Sequence, residues 1–372
     1  MKKSLVALAT LAVFSGAALA QSTVTLSGIV KAGAASTKYS GAASGNVTCT
    51  CLSDCSSRFI LSGSEDLGGG LRANFQVDTR FRIDDNGAAP TASPLAGGNT
   101  FIGLAGKFGN VQIGKLDTHY CLGSDSHGAR STALQASSCA LLGYVGSASA
   151  SIANASRSTN VVRYTAPAMG PLTLSGTYSF SFAGSEGAVG STGKGDAYSL
   201  SAGYAAGPLS AGLSYWSAKG ENQTASAART GQEAWTAMVN YNAGVATIGV
   251  TYDQSAQRAA AAGAAFIDTK RTAWSVPVTV PMGAGTALLT YTRADNTKTG
   301  GVANANTGAT LVSVGYDYAL SKRTTVGVSY ARLDNKSAAG YALYTQGALH
   351  GTPNNATGQD ASQFYVGVRH TY

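Results

Sequence analysis

The stretch that decides the fold is Phe364-Tyr-Val-Gly-Val-Arg-His-Thr-Tyr372, where the chain ends on an aromatic residue. Successive side chains of a β-strand point to opposite faces. One face of this stretch therefore carries Phe364, Val366, Val368, His370 and Tyr372, and the other carries Tyr365, Gly367, Arg369 and Thr371. The same two-faced pattern recurs along the chain, which predicts an all-β protein.

The first 20 residues have the features of an export signal. Met1-Lys-Lys3 is a positively charged start, Leu5 to Phe14 is apolar, and Ala18-Leu-Ala20 is a small-residue cleavage site. Residues 1–20 are therefore predicted to be a signal peptide, and residues 21–372 the mature chain. Strands that cross a membrane must close into a barrel, because an open sheet edge leaves backbone groups unpaired in lipid.

The connections between strands alternate between short and long. Seven short turns rich in Gly, Pro and Asn lie at Glu65–Gly70, Lys107–Asn110, Ala166–Pro171, Ala206–Pro208, Asn242–Gly244, Pro281–Gly285 and Ala319–Arg323. Eight longer polar segments lie at 35–56, 84–99, 117–159, 184–196, 219–232, 254–269, 295–308 and 335–361. These connections predict a 16-stranded antiparallel transmembrane β-barrel with short periplasmic turns and long extracellular loops. Such a barrel spans the cell outer membrane of a Gram-negative bacterium in many passes.

The apolar faces of the predicted strands suit contact with lipid. In the third predicted strand, the face from Leu71 to Phe81 carries no charge. Its ten steps of about 3.3 Å, tilted by about 40°, span roughly 25 Å, the height of the apolar band in such barrels. A secreted soluble sandwich or barrel is the alternative, but it would leave the polar faces of 16 strands unmatched. The pattern favours the membrane barrel.

Arginines mark the predicted lumen. Six have inward parity, namely Arg58, Arg72, Arg80, Arg82, Arg163 and Arg369. Guanidinium groups stay charged, and rings of Arg in a pore favour anions. The mature chain, without Lys2 and Lys3, has 24 basic and 18 acidic residues, a net charge of +6. The alternative is that these arginines brace the wall by pairing with Asp78 or with carboxylates of the loops.

Residues 117–159 form the longest predicted loop, too long for an ordinary connection. It is a candidate constriction loop that folds into the pore, where its charged residues would face the arginines; it could equally lie over the mouth as a flap. The candidates are Asp117, His119, Asp125, His127 and Arg130.

Several segments resemble the trimeric general porins of Gram-negative bacteria, especially the β-proteobacterial type. They are Val24–Gly28, Ser57–Phe59, Gly63–Leu71, Phe108–Gly114, Asn160–Tyr164 and Val366–Tyr372. The resemblance covers the whole mature chain. It implies a water-filled channel for passive diffusion of small hydrophilic solutes and ions, with an inward third loop and pore-lining arginines at 58, 72 and 163.

The resemblance also implies partners. They are two further copies of the chain in a homotrimer, outer-membrane lipid and lipopolysaccharide, small ionic solutes, and the barrel-assembly machinery, which would recognise the C-terminal strand; no nucleic acid is implied. Two features depart from the family. The chain ends on Tyr372 where the family usually has Phe, and the third loop lacks the Pro-Glu-Phe-Gly-Gly-Phe segment. The acidic constriction residues of the family therefore cannot be carried over.

Five cysteines are a further departure from such porins. Cys49, Cys51 and Cys55 lie in the first predicted loop, and Cys121 and Cys139 in the third. On the oxidising side of the membrane a disulfide is the first expectation, with Cys121–Cys139 as the candidate pair. Zinc bound by His119, Cys121, His127 and Cys139 is the alternative, although their spacing fits no standard zinc motif; a free thiol is also open.

No enzyme motif or cofactor site was found, so the chain is predicted not to be an enzyme. Gly190-Ser-Thr-Gly-Lys-Gly195 lacks the first Gly and the final Ser or Thr of a phosphate loop. Two other functions remain open, a plugged barrel that acts as an adhesin or structural protein and an outer-membrane hydrolase. Single-channel conductance separates both from a porin.

Overall fold

The computed structural model describes residues 22–41, 47–53, 57–81, 83, 95–118, 137–153, 157–182, 195–220, 229–261, 264–343 and 356–372. Its strands are β1 (Thr23–Ser40), β2 (Val47–Ser53), β3 (Ser57–Gly68), β4 (Leu71–Phe81), β5 (Thr100–Gly106), β6 (Gly109–Asp117), β7 (Arg157–Thr165), β8 (Leu172–Ser179), β9 (Gly195–Ala206), β10 (Leu209–Gly220), β11 (Arg229–Asn242), β12 (Thr247–Ala260), β13 (Ile267–Met282), β14 (Gly285–Ala294), β15 (Lys298–Thr299), β16 (Val302–Ala303), β17 (Ala309–Ala319), β18 (Thr324–Asn335) and β19 (Asp360–Thr371). A four-residue helix, Cys139–Leu142, lies between β6 and β7. Within these ranges no helix is long and apolar enough to cross a bilayer.

The first and last strands close the sheet. β1 pairs antiparallel with β19, from Ile29 opposite Thr371 to Ser40 opposite Asp360. β2 and β3 pair with successive parts of β1, so they count as one strand of the wall. β15 and β16 are two-residue strands that form a hairpin in the connection between β14 and β17. The wall is therefore the predicted closed barrel of 16 antiparallel strands.

The short connections gather at one end of the barrel, and all seven predicted turns join strands that pair with each other. The turn between β3 and β4 shows why its sequence is rich in glycine. Gly68, Gly69 and Gly70 have φ angles of 82°, 63° and 82°. Residues other than glycine rarely adopt this backbone conformation.

Several of the long connections are shorter than the sequence predicted. The first loop was expected at 35–56, but β1 runs to Ser40 and β2 begins at Val47, which places Cys49 and Cys51 in a strand. The sixth was expected at 254–269, but β12 runs to Ala260 and β13 begins at Ile267. The reason is that polar side chains end the apolar band and not the strand, because backbone pairing continues beyond the lipid.

The two faces of the strands follow the predicted alternation. In β19, Phe364 is 51% exposed, whereas its neighbour Tyr365 is 0% exposed and faces the interior. Tyr and Trp rings pack side by side across strands on the outer face, as in the Trp235–Tyr252 and Trp274–Tyr291 pairs with ring centroids 5.1 Å apart. These rings are the girdle expected at the boundary between lipid and water.

The interior of the barrel is not lined by polar side chains alone. Leu141, Leu142 and Ile152 of the third loop are buried in one apolar cluster with Leu311 of β17 and Leu333 of β18. One side of the barrel interior is therefore a packed core, because the described part of the third loop, 137–153, covers that side of the wall.

Candidate functional site

Two arginines face each other on the inner wall. Arg58 of β3 is directly opposite Arg80 of β4. Arg80 also pairs with the buried Asp78, with Nη2 3.3 Å from Oδ2. The Nε atoms of Arg58 and Arg80 are buried and have no hydrogen-bond partner among the described residues, so both guanidinium groups keep donors that the described part of the wall does not satisfy.

Further cations surround this pair. Arg58 lies close enough to Arg157 and Arg369 to be affected by their charges, and Lys115 lies close to Arg157 and Arg80. Lys31 of β1 is opposite Arg369 of β19. We refer to these six side chains as the basic wall: Lys31, Arg58, Arg80, Lys115, Arg157 and Arg369.

Two carboxylates are associated with the basic wall. Asp78 pairs with Arg80, and Asp117 pairs with Arg157, with Arg157 Nη1 3.3 Å from Asp117 Oδ1. Asn99 fixes Asp117 by donating from Nδ2 to Oδ2 at 2.7 Å and accepting from the Asp117 backbone N–H at 2.8 Å. Six cations and two carboxylates leave a formal excess of four positive charges.

The other predicted residues lie elsewhere. Arg72 is beside the short turn that follows β3, opposite Asp66 and away from the basic wall. Arg163 lies on β7 opposite Gln112, and Asp117 is the described residue whose charge acts on it. Five predicted residues lie outside the described residues, namely Arg82, His119, Asp125, His127 and Arg130.

Sequence reasoning missed three members of the basic wall, each for a different reason. Lys31 has inward parity in β1 and could have been found by alternation. Arg157 fell inside the predicted loop 117–159. Lys115 has the parity of the outward Ile113, so alternation alone does not assign it to the lumen. It lies at an irregularity in the pairing of β6 with β7, between Gly114 and Leu116, where β7 holds one extra residue.

The described part of the third loop, 137–153, crosses the interior and docks on the opposite side of the barrel. Arg271 of β13 donates from Nη2 to the Leu142 carbonyl at 2.7 Å and from Nε to the Tyr144 carbonyl at 3.0 Å. Gln257 of β12 donates to the Ser151 carbonyl at 2.7 Å. The sequence had left open whether this loop folds inward or covers the mouth, and these contacts place the described part inside.

The connection between β18 and β19 braces the same loop. The Gly146 backbone N–H donates to the Tyr341 hydroxyl oxygen at 2.9 Å, and Ala148 N–H donates to the Gly340 carbonyl at 2.8 Å. Burial raises the pKa of the Tyr341 hydroxyl, so this group stays protonated at neutral pH.

Only some of the five cysteines lie among the described residues. Cys139 is disulfide-bonded, whereas Cys55 and Cys121 lie outside the described residues. Cys51 of β2 packs beside Ala35 and Tyr365. In the part of the chain that the structure describes, no three His, Cys, Asp or Glu residues gather as metal ligands would.

A closed 16-stranded barrel with an outer aromatic girdle and a charged inner wall defines an outer-membrane channel protein. The chain belongs to the Gram-negative porin family, whose profile matches residues 7–338. Family membership confirms the predicted outer-membrane channel and the prediction that the chain is not an enzyme.

Individual relatives agree with this assignment. The chain is 30% identical to outer membrane porin protein 32 of Delftia acidovorans, over the full length of both chains. It is 41% identical over 122 residues to the major outer membrane protein P.IB of Neisseria meningitidis serogroup B, which covers 32% of this chain and 34% of that protein. The anion-selective porin from Comamonas acidovorans superposes with a TM-score of 0.71 at 26% identity, covering 94% of this chain and 100% of that one. OmpT of Vibrio cholerae, at 15% identity, shares the fold with a TM-score of 0.67, covering 94% of this chain and 98% of that one.

Proposed function

We propose that this porin is a diffusion channel that prefers small anions and that the basic wall sets this preference. The observation that carries the proposal is the opposed Arg58–Arg80 pair, with further cations around it and, among the described residues, two carboxylates nearby. The solutes would be small hydrophilic ions that carry a carboxylate or phosphate, groups that the guanidinium fork matches.

The physical basis is the confined lumen. Like charges on a wall of low dielectric constant sum to a positive potential, which concentrates anions and repels cations. Wall bracing alone would be served better by opposite charges, since like charges directly across a strand pair are destabilising. The similarity to the porin from Comamonas acidovorans, which is described as anion-selective, supports the same preference.

We infer that the loop 117–159 forms the constriction. Its described part, 137–153, occupies the side of the lumen nearest β11 to β14 and contains no charged side chain. The remaining passage would then be bounded by the basic wall. The basic wall, and not this part of the loop, would supply the electric field in the passage. Asp117 would contribute from its pair with Arg157; His119, Asp125 and Arg130 are candidates for the rest of the constriction.

We also propose a homotrimer that assembles through the outer face of β1 to β6. The aromatic girdle is present on β7 to β18, for example at Tyr164, Trp235 and Tyr330. On the described part of β1 to β6, no Tyr or Trp faces outward, while Leu26 and Ile102 are exposed there. Girdle residues belong where a wall meets lipid headgroups, so their absence favours contact with other copies of the chain.

The remaining partners follow from the same proposal. Residues 1–20 would be removed on export. The girdle would contact outer-membrane lipid and lipopolysaccharide, and the exposed terminal strand would be presented to the barrel-assembly machinery. None of these steps involves a cofactor.

The zero-current potential of the purified protein in a planar bilayer tests the proposed function. In a tenfold potassium chloride gradient, the sign should correspond to chloride passing faster than potassium. A cation-preferring potential would contradict the anion preference, and absence of conductance would favour the plugged barrel.

A further inference from the structure

The geometry points to Arg271, held in place by Asp253, as the positioning residue that fixes the third loop against the wall and thereby sets the width of the pore. This inference rests on the proposed constriction. Arg271 is proposed to control the size of the pore, whereas the basic wall is proposed to select ions by the sign of their charge.

Arg271 binds three groups at once. Its Nη1 pairs with Asp253 Oδ1 at 2.6 Å, and both side chains are 0% exposed. The same guanidinium donates to the carbonyls of Leu142 and Tyr144. These carbonyls lie at the C-terminal end of the helix Cys139–Leu142, where backbone acceptors have no partner within the helix. A planar fork is suited to satisfying two acceptors at a fixed separation.

Asp253 is oriented by its own partners. Ser255 Oγ donates to Oδ1 at 2.8 Å, and Thr236 Oγ1 donates to Oδ2 at 2.5 Å. A buried ion pair is often no more stabilising than apolar side chains of similar volume, because both ions lose their hydration. The pair is therefore poorly explained as a source of stability alone, and its two bonds to the loop backbone indicate a role in placing that backbone.

A second anchor holds the other end of the same segment. Gln232 of β11 accepts from Ala153 N–H at 2.9 Å and donates to the Ser151 carbonyl at 3.0 Å. Trp216 Nε1 donates to Gln232 Oε1 at 3.0 Å and so fixes the amide. Residues 142–153 are thus tied at one end to Arg271 of β13 and at the other to Gln232 of β11, which should prevent them from swinging across the passage.

Because 137–153 carries no charge, releasing it should change the size of the passage more than the sign of its selectivity. The test compares Arg271→Gln, Asp253→Asn and Arg271→Lys with the control Arg332→Gln. The control breaks an ion pair of 2.8 Å with Asp334, in which both side chains are about half exposed. Heat-modifiable migration establishes folding, liposome swelling with neutral sugars of graded size measures exclusion, and planar-bilayer recording measures open-channel current noise.

We expect Arg271→Gln and Asp253→Asn to admit a sugar near the exclusion limit at least about threefold faster and to add sub-levels to the open-channel current. Arg271→Lys keeps a charge beside Asp253 but cannot reach both carbonyls, so it should show a smaller change in the same direction. Arg332→Gln should behave as wild type.

Wild-type exclusion and noise in folded Arg271→Gln and Asp253→Asn would overturn the inference. Should both fail to fold, Arg271→Lys decides, and its wild-type exclusion and noise would equally overturn it. Neutral sugars keep this test separate from the proposed function. If the wild-type channel proved not to prefer anions, the exclusion of neutral sugars would still report the width of the pore.

Discussion

Arg58 and Arg80 lie directly opposite each other on β3 and β4, with Asp78 paired to Arg80. Directly opposed side chains of an antiparallel pair have Cβ atoms about 5 Å apart, so their like charges repel. Asp78 offsets only part of this repulsion. The barrel thus keeps the electrostatically unfavourable Arg58–Arg80 pair in its lumen, as expected where positive charge serves to attract anions.

Removing the charge of Asp78 should strengthen the anion preference. Asp78→Asn raises the formal excess of the basic wall and its carboxylates from four to five positive charges while keeping the side-chain volume. We expect the ratio of anion to cation permeability to rise by up to about twofold. The zero-current potential in a salt gradient measures it, with Asp334→Asn on the outer surface as control. A shift toward cations would contradict the role assigned to Asp78.

Gly114 should not tolerate a side chain. Its φ of 154° suits glycine, and an added Cβ would overlap the Thr100 carbonyl oxygen. We expect Gly114→Ala to destabilise the barrel by about 1–3 kcal/mol and to lower the yield of heat-modifiable protein. Gly203→Ala is the matched control, because the nearest atom to its added Cβ is Thr173 Cβ at 3.9 Å. Equal yields of the two variants would show that the backbone conformation of Gly114 does not require glycine.

The proposed trimer face predicts an asymmetry between two sets of exposed apolar residues. Leu26→Ser with Ile102→Ser should lower the temperature at which trimers dissociate, since each truncation removes about 1 kcal/mol or more of apolar burial. Leu213→Ser with Val250→Ser, on strands that carry the girdle, should leave that temperature nearly unchanged. Native electrophoresis after graded heating measures both. The reverse order would place the contact on the other side of the barrel.

Cys139 should be joined to Cys121. Cys139 is disulfide-bonded, and a crosslink that closes a loop of this size stabilises by about 3 kcal/mol in the chain-entropy model. Mass spectrometry of non-reduced peptides should recover a Cys121–Cys139 peptide pair. Recovery of Cys139 joined to Cys49 or Cys55 instead would refute the pairing.

Much of the fold could be predicted from local patterns. The contrast between Phe364 and Tyr365 depends only on strand alternation, and the turn at Gly68–Gly70 depends only on backbone conformation. Strand count and barrel closure follow from such features, because each strand pairs with its neighbour in sequence.

The candidate site was predicted less completely, because parts of it depend on distant contacts. Lys115 has the parity of outward residues, and its place beside Arg80 and Arg157 coincides with an irregularity in the pairing of β6 with β7 that alternation does not reveal. The path of the third loop depends on Arg271 binding carbonyls 127 and 129 positions away. Backbone acceptors carry no residue-specific signal, so no pattern in the sequence indicates that Arg271 binds this loop.

The most direct test of the basic wall is the zero-current potential of Arg58→Glu with Arg80→Glu in a tenfold salt gradient. Both substitutions change the sign of charge at the opposed pair, and folding is checked by heat-modifiable migration. We expect the double variant to shift from anion toward cation preference, with conductance changing less, and the control Arg293→Gln on the outer surface to keep the wild-type potential. A folded double variant that retains the wild-type anion preference would contradict the role of the basic wall.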